Sequence, residues 1–151
     1  MNENIKMKGY ITLEHIRDGK VIEHKEIPNL IVTAGKNEMA KLLVNSGSPS
    51  AFSYIALGSD DGSTLALAVG NTQLGTELSA SGSGRASASL STDGAVSKLE
   101  HTWTFSGAIT VNESGIFNDS SSGVMLARQI IGSFTFANAD QLKLTWEITF
   151  S

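Results

Sequence analysis

Three histidines, His15, His24 and His101, are the residues whose chemistry could move a proton or hold a metal at neutral pH. No two of them stand at a metal-ligand spacing, and the His-Glu-x-x-His pattern is absent. His15 and His24 are expected to face each other across a hairpin as a polar surface pair, with weak zinc-binding chemistry at most. His101 shares a strand face with Leu99 and Trp103 and reads as a residue at a rim or a subunit contact. Asp60-Asp61-Gly62-Ser63-Thr64 offers two carboxylates, but it lacks the alternating acidic spacing and the distal Glu of a calcium loop, so a turn is expected. Gly82-Ser83-Gly84-Arg85 has the composition of a phosphate cradle without the strand–loop–helix context or the following Lys-Ser/Thr. There is no Gly-x-Ser-x-Gly elbow, and nothing in the spacing singles out a Ser/His/Asp set. Asn112-Glu113-Ser114 and Asn118-Asp119-Ser120 match the glycosylation pattern; the segment Met1–Lys6 lacks a secretory apolar core, so both matches read as chance. No cofactor, metal or catalytic residue is therefore expected.

A different chemistry comes from charges set in uncharged surroundings. Arg85 and Arg128 are the only arginines after Arg17, and both lie among small or apolar residues. Glu77 and Glu113 are the nearest acidic residues in a β context. Such isolated charges suggest specific pairing, inside the domain or between subunits. Trp103, Trp146, Phe105, Phe134, Phe136 and Phe150 are expected in the core.

The elements that must position these residues follow from pattern. The chain has 151 residues, 40% hydrophobic and 17% charged, enough to bury one domain's core. A net charge of -4 argues against a nucleic-acid partner. The absence of cysteine excludes disulfides and thiolate sites, and no apolar run approaches the roughly 20 residues of a membrane span. Residues 1–41 carry 7 Lys and Arg against 6 Asp and Glu; the remainder carries 4 against 9. This divides a charged N-terminal hairpin or arm, residues 1–28, from a β body, residues 29–151.

Tyr10–Ile16 and Val21–Ile27 flank Asp18-Gly19, the preferred pair for a type I′ turn, and Pro28 is expected to end the pairing. Ala34–Val44 has a helical pattern with Thr33 as N-cap, Met39, Leu42 and Leu43 on one side, and Gly47 near the C-terminus. Tyr54–Leu57 is a short buried strand, and residues 58–76 form a long connection of the kind that tends to be functional. Further strands are expected over 77–90, 96–105, 109–111, 115–117, 123–131 and 142–150, with a second hairpin at Thr92-Asp93-Gly94-Ala95. The last strand alternates Leu142, Leu144, Trp146, Ile148 and Phe150 with Lys143, Thr145, Glu147 and Thr149. The fold class is mainly β: an antiparallel sandwich or barrel with one short helix.

Several stretches then fit one pattern. Asn112-Glu113-Ser114-Gly115-Ile116-Phe117-Asn118, Gly123-Val124-Met125-Leu126-Ala127-Arg128 and the terminal Leu142–Phe150 resemble small structural proteins of tailed-bacteriophage virions. Asn29–Gly35, Tyr54–Gly58 and Thr72–Leu78 resemble further elements of that family; Arg85 falls later after Glu77 than the family pattern has it. The resemblance covers most of residues 29–150. It implies a non-enzymatic capsid decoration protein that binds the outer shell as a homotrimer, with itself and the major capsid protein as partners and neither nucleic acid nor membrane. It implies location in the virion, assembled in the bacterial cytoplasm. Its interface residues would be Glu77, Arg85, Glu113, Arg128, Asp60 and Asp61, with the 10–28 hairpin and the 58–76 loop as further contacts. On this reading Arg128→Ala loosens the trimer, and edge strands are protected by neighbouring copies rather than by lysines. The alternatives are a tail, baseplate or fibre-attachment component, and a carbohydrate-binding sandwich with Tyr54 or Trp103 as a stacking platform.

Overall fold

The computed structural model describes residues 4–151; the start of the Met1–Lys6 segment lies outside them. The first hairpin joins β1 (Met7–Arg17) to β2 (Lys20–Ile31) through Asp18 and Gly19, both at positive φ (51° and 74°), as the type I′ turn demands. Pro28 does not end this pairing: it sits opposite Tyr10, and Asn29 sits opposite Gly9. On its other side β2 meets a second strand only at Leu30 and Ile31, so the missing N–H of Pro28 falls where that edge is open.

α1 (Thr33–Val44) follows directly. Val32, not Thr33, is its N-cap, with no side-chain cap; the Thr33 N–H is taken by the Val69 carbonyl at 2.8 Å. The helix ends at Asn45, which adopts the left-handed conformation. Its docking does not use the full apolar stripe. Leu43 is 86% exposed, whereas Met39 and Leu42 touch the core. Gly35 makes the closest approach: a Cβ there would stand 2.5 Å from the Leu126 backbone, so only glycine lets the helix lie this near the sheet.

β3 (Tyr54–Gly58) is followed by the long connection, then by β4 (Ala86–Ser87), β5 (Ser89–Asp93), β6 (Val96–Thr104), β7 (Ile109–Phe117), β8 (Met125–Phe136) and β9 (Gln141–Phe150). Residues 77–85, expected as strand, are mostly turns; Gly82 and Ser81 have positive φ. The segments expected around Glu113 are one strand. Its pairing with β8 jumps between Val111↔Phe134 and Glu113↔Ile130, where Gly132 takes φ 94° in the bulged partner.

All nine strands pair antiparallel in the order β4-β3-β7-β8-β2-β1-β9-β6-β5. The result is a nearly closed sheet, a barrel-like sandwich. Its two end strands, β4 and β5, are separated in the chain by Ala88 alone. The hairpin is built into this sheet, because β1 pairs with β9 from Met7↔Phe150 to Ile16↔Gln141. The core joins both faces: Ile11, Leu13, Ile55, Leu57, Trp103, Phe105, Ile116, Phe136, Leu144 and Trp146 are buried in one cluster. Along β9, Leu142, Leu144, Trp146 and Ile148 face inward as the alternation requires.

Candidate functional site: a buried ionic knot under the 58–76 connection

Residues 58–76 leave β3 at Gly58 and return beside it, where Ser59 N–H donates to the Thr76 carbonyl and Gly58 bridges to Glu77. Between these points the backbone has no ladder of its own; apart from the Val69 carbonyl taken by Thr33 and the Ala68–Asn71 turn, side chains do much of the pairing. Asp60 accepts from the N–H groups of Gly62, Thr64 and Leu65 at 2.9 to 3.2 Å. The Asn71 side-chain Oδ1 likewise accepts from Ala68 N–H at 3.0 Å. The backbone N–H groups on Asp60, Thr64 first, hold its carboxyl below the usual carboxylate range, against the opposing effect of burial.

Arg128, from β8, ties the loop to the sheet. Its Nε and Nη2 contact Glu113 Oε2 at 2.9 and 2.7 Å, and Nη2 contacts Asp60 Oδ2 at 3.2 Å. Nη1 donates to the Leu65 carbonyl and to Asn71 Oδ1, each at 2.9 Å. Glu113 in turn accepts from the N–H groups of Gly75 and Thr76 at 3.1 and 2.9 Å. Arg128 and Glu113 are 0% exposed and Asp60 is 4% exposed. Leu74 packs on Gly115, where a Cβ would stand 2.9 Å from Leu74 Cδ2 and 3.1 Å from the Ala127 carbonyl. A guanidinium with its donors filled by two carboxylates, an amide and a carbonyl is a satisfied internal tie.

Glu77 and Arg85 form a second pair. Arg85 holds Glu77 through both nitrogens, Nη2 at 2.6 Å and Nε at 3.3 Å. Nη1 donates to the carbonyls of Asp119 and Ser122, and the guanidinium lies 3.7 Å over the Phe117 ring. A polar groove of about 550 Å³ opens beside this pair, lined in part by Gln73, Glu77 and Ser122.

The six candidate interface residues are thus placed differently. Asp60, Glu113 and Arg128 meet one another inside the protomer and offer no surface to a partner copy, so Arg128→Ala would act on the loop. Glu77 is partly exposed, whereas the Arg85 side chain that holds it is 6% exposed and packed inside the protomer. Asp61 is exposed and caps its own turn, accepting from Ser63 N–H at 3.0 Å; the Ser63 hydroxyl and N–H lower its carboxyl. Asp60 is buried and Asp61 exposed, and the Asp60 oxygens are taken by backbone and Arg128, which supports the turn over a calcium loop. Among the described residues no group of three or more His, Asp and Glu side chains is placed to hold a metal.

The histidine expectations change most. His15 pairs with Glu23, and His24 with Glu14, so the two rings lie on opposite faces of the hairpin. His15 is not polar surface: it is 1% exposed. Its Nε2 lies 2.8 Å from Asp140 Oδ2, and Arg17 grips both Asp140 oxygens at 2.9 and 2.7 Å. This His15–Arg17–Asp140 cluster and the role of Asn71 were absent from the sequence expectations. Asn71 follows Gly70, an ordinary turn signal, and His15 is 125 positions from Asp140, so no local pattern joins them. His101 is half-buried, edge-on to Trp103 at 4.7 Å; burial pushes its imidazole below the ordinary histidine value. Trp103 is buried and donates to the Gly84 carbonyl, so it is no stacking platform.

Protein-family models, curated proteins and solved structures were each compared with the chain, and none matches it. No helix among the described residues is long and apolar enough to cross a membrane. The functional reading therefore rests on the residues and their arrangement.

Proposed function

We propose that this chain is a non-enzymatic structural protein of a tailed-bacteriophage virion, a decoration protein that binds the outside of the assembled capsid as a homotrimer. One observation carries the reading. The separate stretches that resemble such proteins converge on the ionic knot: Gly58 from the first, Leu74, Gly75 and Thr76 from the second, Glu113 and Gly115 from the third, and Arg128 from the fourth. Pieces up to 70 positions apart fit one packing arrangement (Gly58 to Arg128), as parts of one pattern should.

The surface left for partners supports a binding role. Val21 and Ile22 at the hairpin tip, Val69 on the anchored connection and Leu90 on β5 are exposed apolar side chains. Each is small, and many weak copies arranged on a lattice add avidity. A protein that binds the mature shell and not the free subunit stabilises the shell by linkage. Major capsid protein and further copies of the chain are the proposed partners, and the virion is the proposed location.

Co-sedimentation with purified expanded heads and, separately, with isolated tails tests this. Binding to heads near the copy number of three-fold sites, with a trimer mass in sedimentation equilibrium, is the expected result. Binding to tails alone replaces it with a tail or baseplate role. Binding to neither removes the virion reading.

A further inference from the structure

The buried His15 ring has charged groups at both of its nitrogens and apolar side chains on its other sides. Asp140, in the β8–β9 turn, takes Nε2 at 2.8 Å, and Arg17 of β1 holds that carboxylate from behind. Glu23 of β2 brings Oε1 to 3.5 Å from Nδ1. From β9 the residue opposite is the apolar Leu142, and the Phe136 ring covers the imidazole at 4.2 Å.

The tautomer follows from these partners. Asp140 accepts from Arg17 and from Ala137 N–H at 2.8 Å, and Arg17 holds it well below the usual carboxylate range. An ionised carboxylate only accepts, so Nε2 carries the proton. In the neutral ring Nδ1 is then a bare acceptor. It is buried, has no hydrogen-bond partner, and faces the carboxylate of Glu23, a second acceptor. A proton on Nδ1 turns this opposition into a charge-assisted hydrogen bond. Nδ1 has no accessible surface, so a substrate cannot reach it and a role as catalytic base is excluded.

We propose that His15 is a proton-operated latch between the two strands of the first hairpin. With Nδ1 bare, Glu23 is released. With Nδ1 protonated, it holds Glu23 and pins the start of β2 to β1. The pinned position is the irregular one, since the β1–β2 register shifts between His15↔Glu23 and Ile16↔Val21. Beside it stand the exposed Val21 and Ile22 of the tip. Order at this apolar tip is thereby coupled to pH, whatever the tip binds.

The test is nitrogen NMR of the ring from pH 8 to pH 5, with amide exchange of residues 20–24 corrected for intrinsic rates. Ring nitrogens moving from the Nε2–H tautomer to the doubly protonated form should coincide with a slowing of those amides by about tenfold, the scale of one charged hydrogen bond. Glu23→Gln should abolish the step and keep the amides slow throughout, because the Gln side-chain N–H donates to bare Nδ1. His24→Gln, which removes the other imidazole of the hairpin, should leave the step in place. A ring that keeps one protonation state over this range, amides that do not follow it, or a step that survives Glu23→Gln would each overturn the latch.

Discussion

Two regions of the barrel are held by opposite means. The 58–76 connection has almost no regular backbone, yet it is fastened from beneath by Asp60, Asn71, Glu113 and Arg128. The first hairpin has regular backbone along both strands, yet the outer strand β2 is exposed from Lys20 to Glu26 and fastened by few side chains. Lys25 is one of them, reaching the Ile131 carbonyl at 2.8 Å across the gap to β8. Regular secondary structure is therefore not where this fold is stiffest. Backbone groups paired to buried, fully satisfied side chains resist opening more than a ladder with one open edge. That edge is also protected within the chain, by Lys20, Lys25, an irregular register and Pro28, and does not need neighbouring copies to cover it.

The contrast can be broken most strongly at Arg128. Arg128→Met leaves two buried carboxylates without their cation and should cost about 3–5 kcal/mol in urea unfolding. It should also open residues 61–73 to protease while the hairpin stays protected. Adding Glu113→Gln to that variant should recover part of the loss. Next is Gly115→Ala, whose Cβ meets the Ala127 carbonyl and the end of Leu74; about 1–3 kcal/mol is expected in the same measurement. A smaller effect belongs to the hairpin. Asp18→Ala puts a residue with no local side-chain acceptor into a positive-φ site and should cost about 1 kcal/mol, read as a fall in Tm with unchanged protease resistance at 61–73.

The last effect is a change of slope in acid, read as a function of pH rather than at a single pH. Hydrogen bonds from Arg17, foremost, keep the Asp140 carboxyl below its ordinary value, and the Thr64 N–H does the same for Asp60. A carboxyl lowered in the folded state contributes stability that is fully present above its unfolded value, about 3.9, and is lost as pH falls from there through the folded value. Asp140→Asn should flatten the acid limb of stability against pH by the one carboxyl removed, as urea midpoints between pH 6 and about pH 2 would record. An unchanged limb would mean that Asp140 is not held as its geometry indicates.

Much of the fold was legible because its signals are local. Asp18-Gly19 dictates a turn by its backbone conformation, and the alternation from Leu142 to Phe150 fixes a face. The charged pairs were legible only as anomalies: Arg128 and Glu113 drew attention because they stand among small and apolar residues. Their direction was not legible, since an isolated charge signals pairing equally well with the same chain or with another. Pro28 misled because the cost of a missing N–H depends on which edge is open, a property of the sheet. Thr33 misled because the Val69 carbonyl, 36 positions on, already occupies its N–H. His15 and Asp140 had no local signal at all.

The pairing of β1 with β9 also sets an order of events during synthesis. The core edge of β1 and the whole inner flank of β6 wait for β9, the last of these nine strands to be synthesised. Until Leu142 to Phe150 emerge, Ile11, Leu13, Leu99 and Trp103 have no strand between them to complete the core. The nascent chain must therefore hold its apolar strands apart until translation of the domain ends, and a chain stalled before residue 141 should be a chaperone client rather than a partly built barrel.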